Sequence, residues 1–180
     1  MERIPAEGPL IIAANHVSYL DPPALGAAVP PVRPVRFMAK EELFRIPFLG
    51  RMIAACGAFP VKRGTADRRA LKQALAYLAQ GEVLGIFPEG RRVMTGELGE
   101  AEQGVALIAL KSSAPILPAA IMGTRPLYRF RGILPSLSRI RVRFGTPFLP
   151  DAVLDPSLKG RGRLEALSRK IMDEIRSLQH

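Results

Sequence analysis

The chain has one cysteine, no tryptophan, three tyrosines and two histidines in 180 residues. With Cys56 alone no internal disulfide can form, and the usual cysteine and histidine spacings of a metal site are missing, which fits a reducing compartment. In its apolar surroundings Cys56 reads as a small buried hydrophobe. Aromatics are few and are not interleaved with the arginines, which counts against a stacking platform for nucleic acid. No apolar run reaches the roughly 18 residues of a membrane-spanning helix, because Arg51 and Lys111 interrupt the longest ones. At the N-terminus "PLIIAA" is too short for a signal-peptide core and has Glu2, Arg3 and Glu7 around it. Repeats and low-complexity tracts are absent too.

Carboxylates are scarce as well: 16 Asp and Glu stand against 26 Lys and Arg, for a net charge of +10. Between Glu102 and Asp151 there is none, while Lys111 and arginines 125, 129, 131, 139, 141 and 143 fall in that interval. Such a surplus suits nucleic acid, an anionic membrane surface or a phosphorylated small molecule, and charge alone does not choose among them. In "RIRVRF" (139–144) the arginines alternate with apolar residues, so a strand there has one basic and one apolar face.

What remains is a 48% apolar chain of a length that suits one domain with a sizeable core. Apolar, β-branched runs alternate with segments of helical period, the pattern of an α/β protein. Strands are expected at 10–14, 35–39, 58–62, 83–87, 116–122 and 139–144. "TADRRALKQALAYLAQG" predicts a helix with Thr65 as its cap, Asp67 at its positive end, Leu71, Leu75 and Leu78 on one face, and Gly81 at its stop. A second helix is expected over 161–178, where Leu164, Leu167, Ile171, Ile175 and Leu178 recur at spacings of three and four. Segment 41–55 has helical period but carries Pro47 and Gly50, which should break it.

The chemistry concentrates in "NHVSYLD" (15–21). Five residues on a helix correspond to about 140° of rotation, so His16 and Asp21 meet only if the histidine sits on a turn leaving a strand and the aspartate opens the next helix. Ser18 is a possible cap there, and Pro22 and Pro23 suit a first helical turn. That places the pair at the carboxyl end of a strand, where α/β sheets bind ligands. A carboxylate on one imidazole nitrogen leaves the other free to take a proton from a hydroxyl. Ser18 is too near His16 in sequence for an easy triad and no nucleophile elbow exists, so the hydroxyl is expected from the substrate. The competing reading is a polar turn with a hydrogen-bonded histidine.

Two further strand ends are basic. "FPEGRR" (87–92) follows "VLGIF" with a carboxylate and two guanidinium groups, and arginine's fork suits phosphate. "AFPVKRG" ends in Lys62 and Arg63 just before the capped helix, whose first amides could add to anion binding. Each of these can equally be a solvated loop.

Taken together and in order, these blocks resemble the glycerolipid acyltransferase family, most closely the bacterial 1-acyl-glycerol-3-phosphate acyltransferases. "NHVSYLD" matches the family's His-x4-Asp block, "GAFPVKRG" (57–64) its second, "FPEGRR" its third and "ILPAAIMG" (116–123) its fourth, so the similarity covers roughly 8–148. The resemblance implies a single domain over 1–180 with a mixed, mostly parallel β-sheet flanked by helices, as in glycerol-3-phosphate acyltransferase. It implies His16 as general base and Asp21 as its orienting partner, with acyl-CoA or acyl-carrier protein as co-substrate and no cofactor or metal. It also implies that Arg63, Glu89, Gly90 and Arg92 bind the glycerol phosphate of a lysophospholipid acceptor; Lys62 is added on charge and proximity. Arg91 stands where the family has Thr or Ser, and Pro60 where it more often has an apolar strand residue. Because of Arg91, another lysolipid or glycerol phosphate is the alternative acceptor, and a basic nucleic-acid-binding module is the alternative of a different class. An acceptor that lives in a bilayer makes peripheral attachment to an anionic membrane surface useful, on the cytoplasmic side, through the 41–55 segment and the arginines.

Overall fold

Every side chain of Leu10–Ala14, the first strand (β1), is buried. A strand apolar on both faces belongs in the middle of a sheet covered on both sides. In the computed structural model, which describes residues 4–62, 67–90, 99, 101–124 and 139–179, β1 lies in the interior of a six-stranded sheet. Next in chain order come β2 (Val35–Lys40), β3 (Ala58–Val61), β4 (Val83–Ile86), β5 (Ile116–Met122) and β6 (Arg141–Phe144). Their spatial order is β3-β2-β4-β1-β5-β6. All neighbours are parallel except β5 and β6, so the sheet is mixed and mostly parallel, as expected. The six strands fall on the six predicted runs, with β6 opening at Arg141 rather than 139.

Helices α1 (Asp21–Ala28), α2 (Leu49–Ala55), α3 (Arg68–Ala79), α4 (Gly104–Ser112) and α5 (Gly160–Ser177) connect and follow the strands. Alternate residues of β1 feed two cores. Ile11 and Ala13 join Ala74 and Leu78 of α3, Val105 and Ile108 of α4, and Leu167 and Ile171 of α5. Leu10, Ile12 and Ala14 join Leu25 of α1 on the opposite face.

Three expectations change. The α3 helix starts at Arg68, and Asp67 is its cap, accepting from the amides of Arg69 and Ala70 at 3.0 Å each; Thr65 lies outside the described residues. The same carboxylate also accepts from Lys62 N at 2.9 Å. The helix start expected to add to anion binding is therefore already filled by a carboxylate. The buried stripe of α3 is Ala70, Ala74 and Leu78, with Leu71 and Leu75 half-buried beside it, because alanines let the helix axis approach the sheet closely. Cys56 is exposed: it caps the short α2, whose only buried residue is Gly50.

Segment 41–55 breaks as Pro47 requires, into a 3-10 turn at Glu41–Arg45 and then α2. It leaves Ile46, Phe48 and Met52 exposed. On β6, Arg141 and Arg143 are exposed while Val142 and Phe144 pack against the core, the alternation that the sequence predicts. Among the described residues no helix is long and apolar enough to cross a membrane.

Candidate active site

The carboxyl ends of β4, β1 and β5 lie side by side, and each releases a short polar segment. β1 ends in Asn15-His16. The Asn15 side chain prolongs the ladder past the last strand residue: Nδ2 donates to Ile121 O at 3.0 Å and Oδ1 accepts from Ile121 N at 2.7 Å. An amide side chain can do this because it carries the donor and acceptor of a peptide group in one plane. His16 is thereby delivered to the rim of the sheet at a fixed height.

Asp21 is the first residue of α1, so the expected strand, turn and helix start are all present. The helix has no side-chain cap; Ser18 Oγ accepts instead from Leu20 N at 3.2 Å. The turn folds around the Asp21 carboxylate. Oδ2 lies 2.9 Å from His16 Nδ1 and accepts from Val17 N at 2.6 Å and Ser18 N at 2.7 Å, while Oδ1 accepts from the Thr124 hydroxyl. Asp21 is fully buried and His16 nearly so. Burial pushes the Asp21 carboxyl upward, but the hydrogen bonds from His16, Thr124, Ser18 and Val17 outweigh it and hold the group below the usual carboxylate range. An ionised carboxylate only accepts, so a neutral His16 must carry its proton on Nδ1, and the lone pair of Nε2 is left as the base.

One flat face of the imidazole rests on Phe87, with centroids 4.2 Å apart and planes inclined by 21°. Phe87 in turn lies parallel to Phe37 at 6.2 Å. The register sets Phe37 opposite Gly85, where a Cβ would stand 2.5 Å from the Phe37 ring. A glycine inside β4 thus makes room for the aromatic pair that backs the histidine.

Two residues after Phe87, Glu89 turns under the histidine. Its Oε2 accepts from His16 N at 3.4 Å, and its Oε1 is buried without a hydrogen-bond partner among the described residues. Burial raises its carboxyl to about 7, against hydrogen bonds from the backbone of His16 and Gly99 and with the Asp21 charge adding to the rise. Two carboxyls so close are kept in different states by their surroundings, one ionised and one titrating near neutrality.

A cavity of about 240 Å³ opens beside Phe87 and Pro88, between α3, α4 and the sheet. Its wall is mainly apolar, including Met38, Leu71, Ile86 and Ile108, with Lys62, Asp67, Arg68 and Glu102 as its charged residues and Gly90 at its border. Of the residues singled out from the sequence, His16, Asp21 and Glu89 come together at one point, and Lys62 and Gly90 border the adjoining cavity. Arg63, Arg91 and Arg92 lie outside the described residues.

A family model described as Acyltransferase matches residues 1–122. The chain belongs to the acyltransferase family. Within it, the chain is 35% identical over 122 residues to the 1-acyl-sn-glycerol-3-phosphate acyltransferase of Bacillus subtilis, covering 68% of this chain and 60% of that protein. It is 30% identical over 169 residues to the protein of the same name from Streptococcus pneumoniae, covering 93% of this chain and again 60% of the relative. The crystal structure of the 1-acyl-sn-glycerophosphate acyltransferase PlsC from Thermotoga maritima superposes over 99% of this chain and 68% of that one, with a TM-score of 0.76 and 27% identity. The chain therefore spans about 60% of the length of both of these curated relatives.

In this member of the acyltransferase family, the residues of the site that carry no role in the motifs read from the sequence include Asn15, Phe87 and Thr124. Phe87 stands inside the third block and Thr124 just beyond the fourth. Thr124 follows Gly123, whose φ of +84° turns the chain sharply at the end of β5. A β-carbon at Gly123 would lie 2.2 Å from Arg139 O, so the turn needs glycine.

Proposed function

We propose that this acyltransferase moves a fatty acyl group from a thioester, acyl-CoA or acyl-carrier protein, to the free hydroxyl of 1-acyl-glycerol-3-phosphate, giving phosphatidic acid. The observation that carries the reading is the oriented base: a buried imidazole whose Nδ1 is taken by an ionised carboxylate. Among the described residues its ring has one side-chain hydrogen bond, to Asp21, so the hydroxyl it serves is supplied by the acceptor. Nε2 removes the hydroxyl proton as the alkoxide oxygen attacks the thioester carbonyl; the C–O bond forms, the C–S bond breaks, and the imidazolium returns its proton to the departing thiolate. Asp21 stabilises the cation between these two transfers.

The acceptor's phosphate is assigned to Lys62, Arg63 and Arg92 beside Gly90, with Glu89 at the inner edge of the same site. Support comes from Lys62 and Gly90 bordering one cavity next to Phe87, and from the names of the relatives. The exposed Ile46, Phe48 and Met52, with Arg45 and Arg51 among them, suit insertion into the headgroup layer of an anionic membrane on its cytoplasmic side.

The deciding experiment crosses acyl-CoA and acyl-carrier-protein donors with lysophosphatidate, glycerol 3-phosphate and a neutral lysolipid. Lysophosphatidate is expected to give the highest kcat/KM. A preference for either of the others would reassign the acceptor while leaving the acyl transfer in place.

A further inference from the structure

The geometry points to Thr124 as a positioning residue of the reaction, one that holds the Asp21 carboxylate in the single orientation that serves His16. The assignment rests on His16 acting as the base.

A carboxylate rotates about its Cβ–Cγ bond, and either oxygen can face an imidazole. Here the two oxygens are differently employed. Oδ2 collects the imidazole and two backbone amides from its own turn. Every one of those donors belongs to the segment 16–18, which moves with the histidine. Oδ1 is tied elsewhere, to a hydroxyl 103 residues away in sequence. Thr124 is thus a side-chain anchor of the carboxylate to the segment just past the end of β5.

The anchor is built for the purpose. Thr124 is 1% exposed; a hydroxyl buried to that degree needs a partner, and it finds the most strongly accepting one available. It lies three residues after Ile121, whose backbone holds Asn15. The end of β5 therefore fixes the dyad twice, through Ile121 on the histidine side and Thr124 on the aspartate side. Gly123 between them makes the bend that turns the chain toward Asp21.

Without the hydroxyl, Oδ1 would be a buried acceptor with no partner among the described residues, and the carboxylate would gain by rotating toward other donors. The imidazole would then lose its fixed tautomer during part of each cycle. That is a loss of turnover and not of substrate binding, since a side chain only 1% exposed presents no surface to a substrate.

The test uses Thr124→Val, which keeps the shape and removes the hydroxyl, and Thr124→Ser, which keeps the hydroxyl. In Thr124→Val kcat is expected to fall about 10-fold or more with KM for both substrates changed less than about 2-fold, and Thr124→Ser to recover to within about 3-fold of the wild type. With histidine labelled by nitrogen-15, the two histidines being separated by a His16→Gln control, the Nδ1-bound proton of His16 should give a slowly exchanging signal in the wild type and the serine variant. It should broaden or vanish in the valine variant. A valine variant with wild-type kcat and an unaltered His16 signal overturns the proposal, and so does a serine variant as impaired as the valine one. The Thr124 hydroxyl proton is itself expected as a slowly exchanging resonance of the wild type, and its absence overturns the proposal even where the valine variant does not fold. If the wild type transfers no acyl group to any acceptor, the functional reading falls, and the two proton signals still decide the place of Thr124.

Discussion

Asn15 and Ile121 exchange two hydrogen bonds across 106 residues of sequence, with the asparagine side chain acting as one further residue of β1. Replacing Asn15 with Ala should leave the Ile121 amide and carbonyl unpaired in a dry place and cost about 2–3 kcal/mol. Asn15→Asp should be at least as costly, since a second oxygen would then face the Ile121 carbonyl. Urea unfolding checks both, with midpoints lowered and slopes unchanged. An Asn15→Ala midpoint equal to that of the wild type would show that the ladder holds without the side chain.

His16→Ala removes the base and leaves Asp21 bonded to Val17, Ser18 and Thr124. Turnover is expected to fall on the order of 10²–10⁴-fold, the range ascribed to a general base, with the circular-dichroism spectrum preserved. Activity within a small factor of the wild type would remove His16 from the proton transfer.

Gly85→Ala puts a methyl group 2.5 Å from the Phe37 ring and 2.8 Å from a Val35 methyl. Overpacking of this kind costs about 1–3 kcal/mol. The displaced Phe37 pushes on Phe87, so kcat should drop as well, although residue 85 itself lies within the strand. A fall in melting temperature with kcat untouched would mean that the stacked rings absorb the strain before it reaches His16.

Glu89 gives stability a pH dependence of unusual sign for a carboxylate. Its folded-state value of about 7 lies above the ordinary value of 4.5. Between those two pH values the unfolded chain gives up the proton while the folded one keeps it, so this group makes folding less favourable as pH rises through that window. The loss is complete above about 7 and on the order of 3 kcal/mol. Glu89→Gln, neutral throughout, should gain stability relative to the wild type from pH 4.5 to 7 and hold a constant difference beyond. Thermal unfolding of the two proteins across that range decides it: parallel curves would refute the raised value.

Most of the fold was legible because its central strands are buried on both faces and so read as unbroken apolar runs, as "LIIAA" and "ILPAAIM" do. The His16 and Asp21 geometry was legible too, since a five-residue gap ending in Asp-Pro-Pro has one natural solution, a turn that runs into a helix. The cap of α3 was misplaced because Thr65 and Asp67 both have the chemistry for it, and the choice depends on where Lys62 brings its amide. Cys56 was misjudged because apolar neighbours in sequence, on a short helix at the margin, do not imply burial. Thr124 was invisible: its role depends on a partner 103 residues away, and a threonine after a glycine is ordinary in any loop.

Pro60 lies in β3, the sheet's margin beyond β2, and supplies no amide hydrogen there. The opposite margin among the described residues, β6, presents Arg141 and Arg143 outward. Neither border is a good template for a visiting strand, one for want of a donor and the other through charge repulsion between copies. The residue that departs from the family's usual choice in the second block thus helps to keep neighbouring copies from joining sheet to sheet where they crowd together.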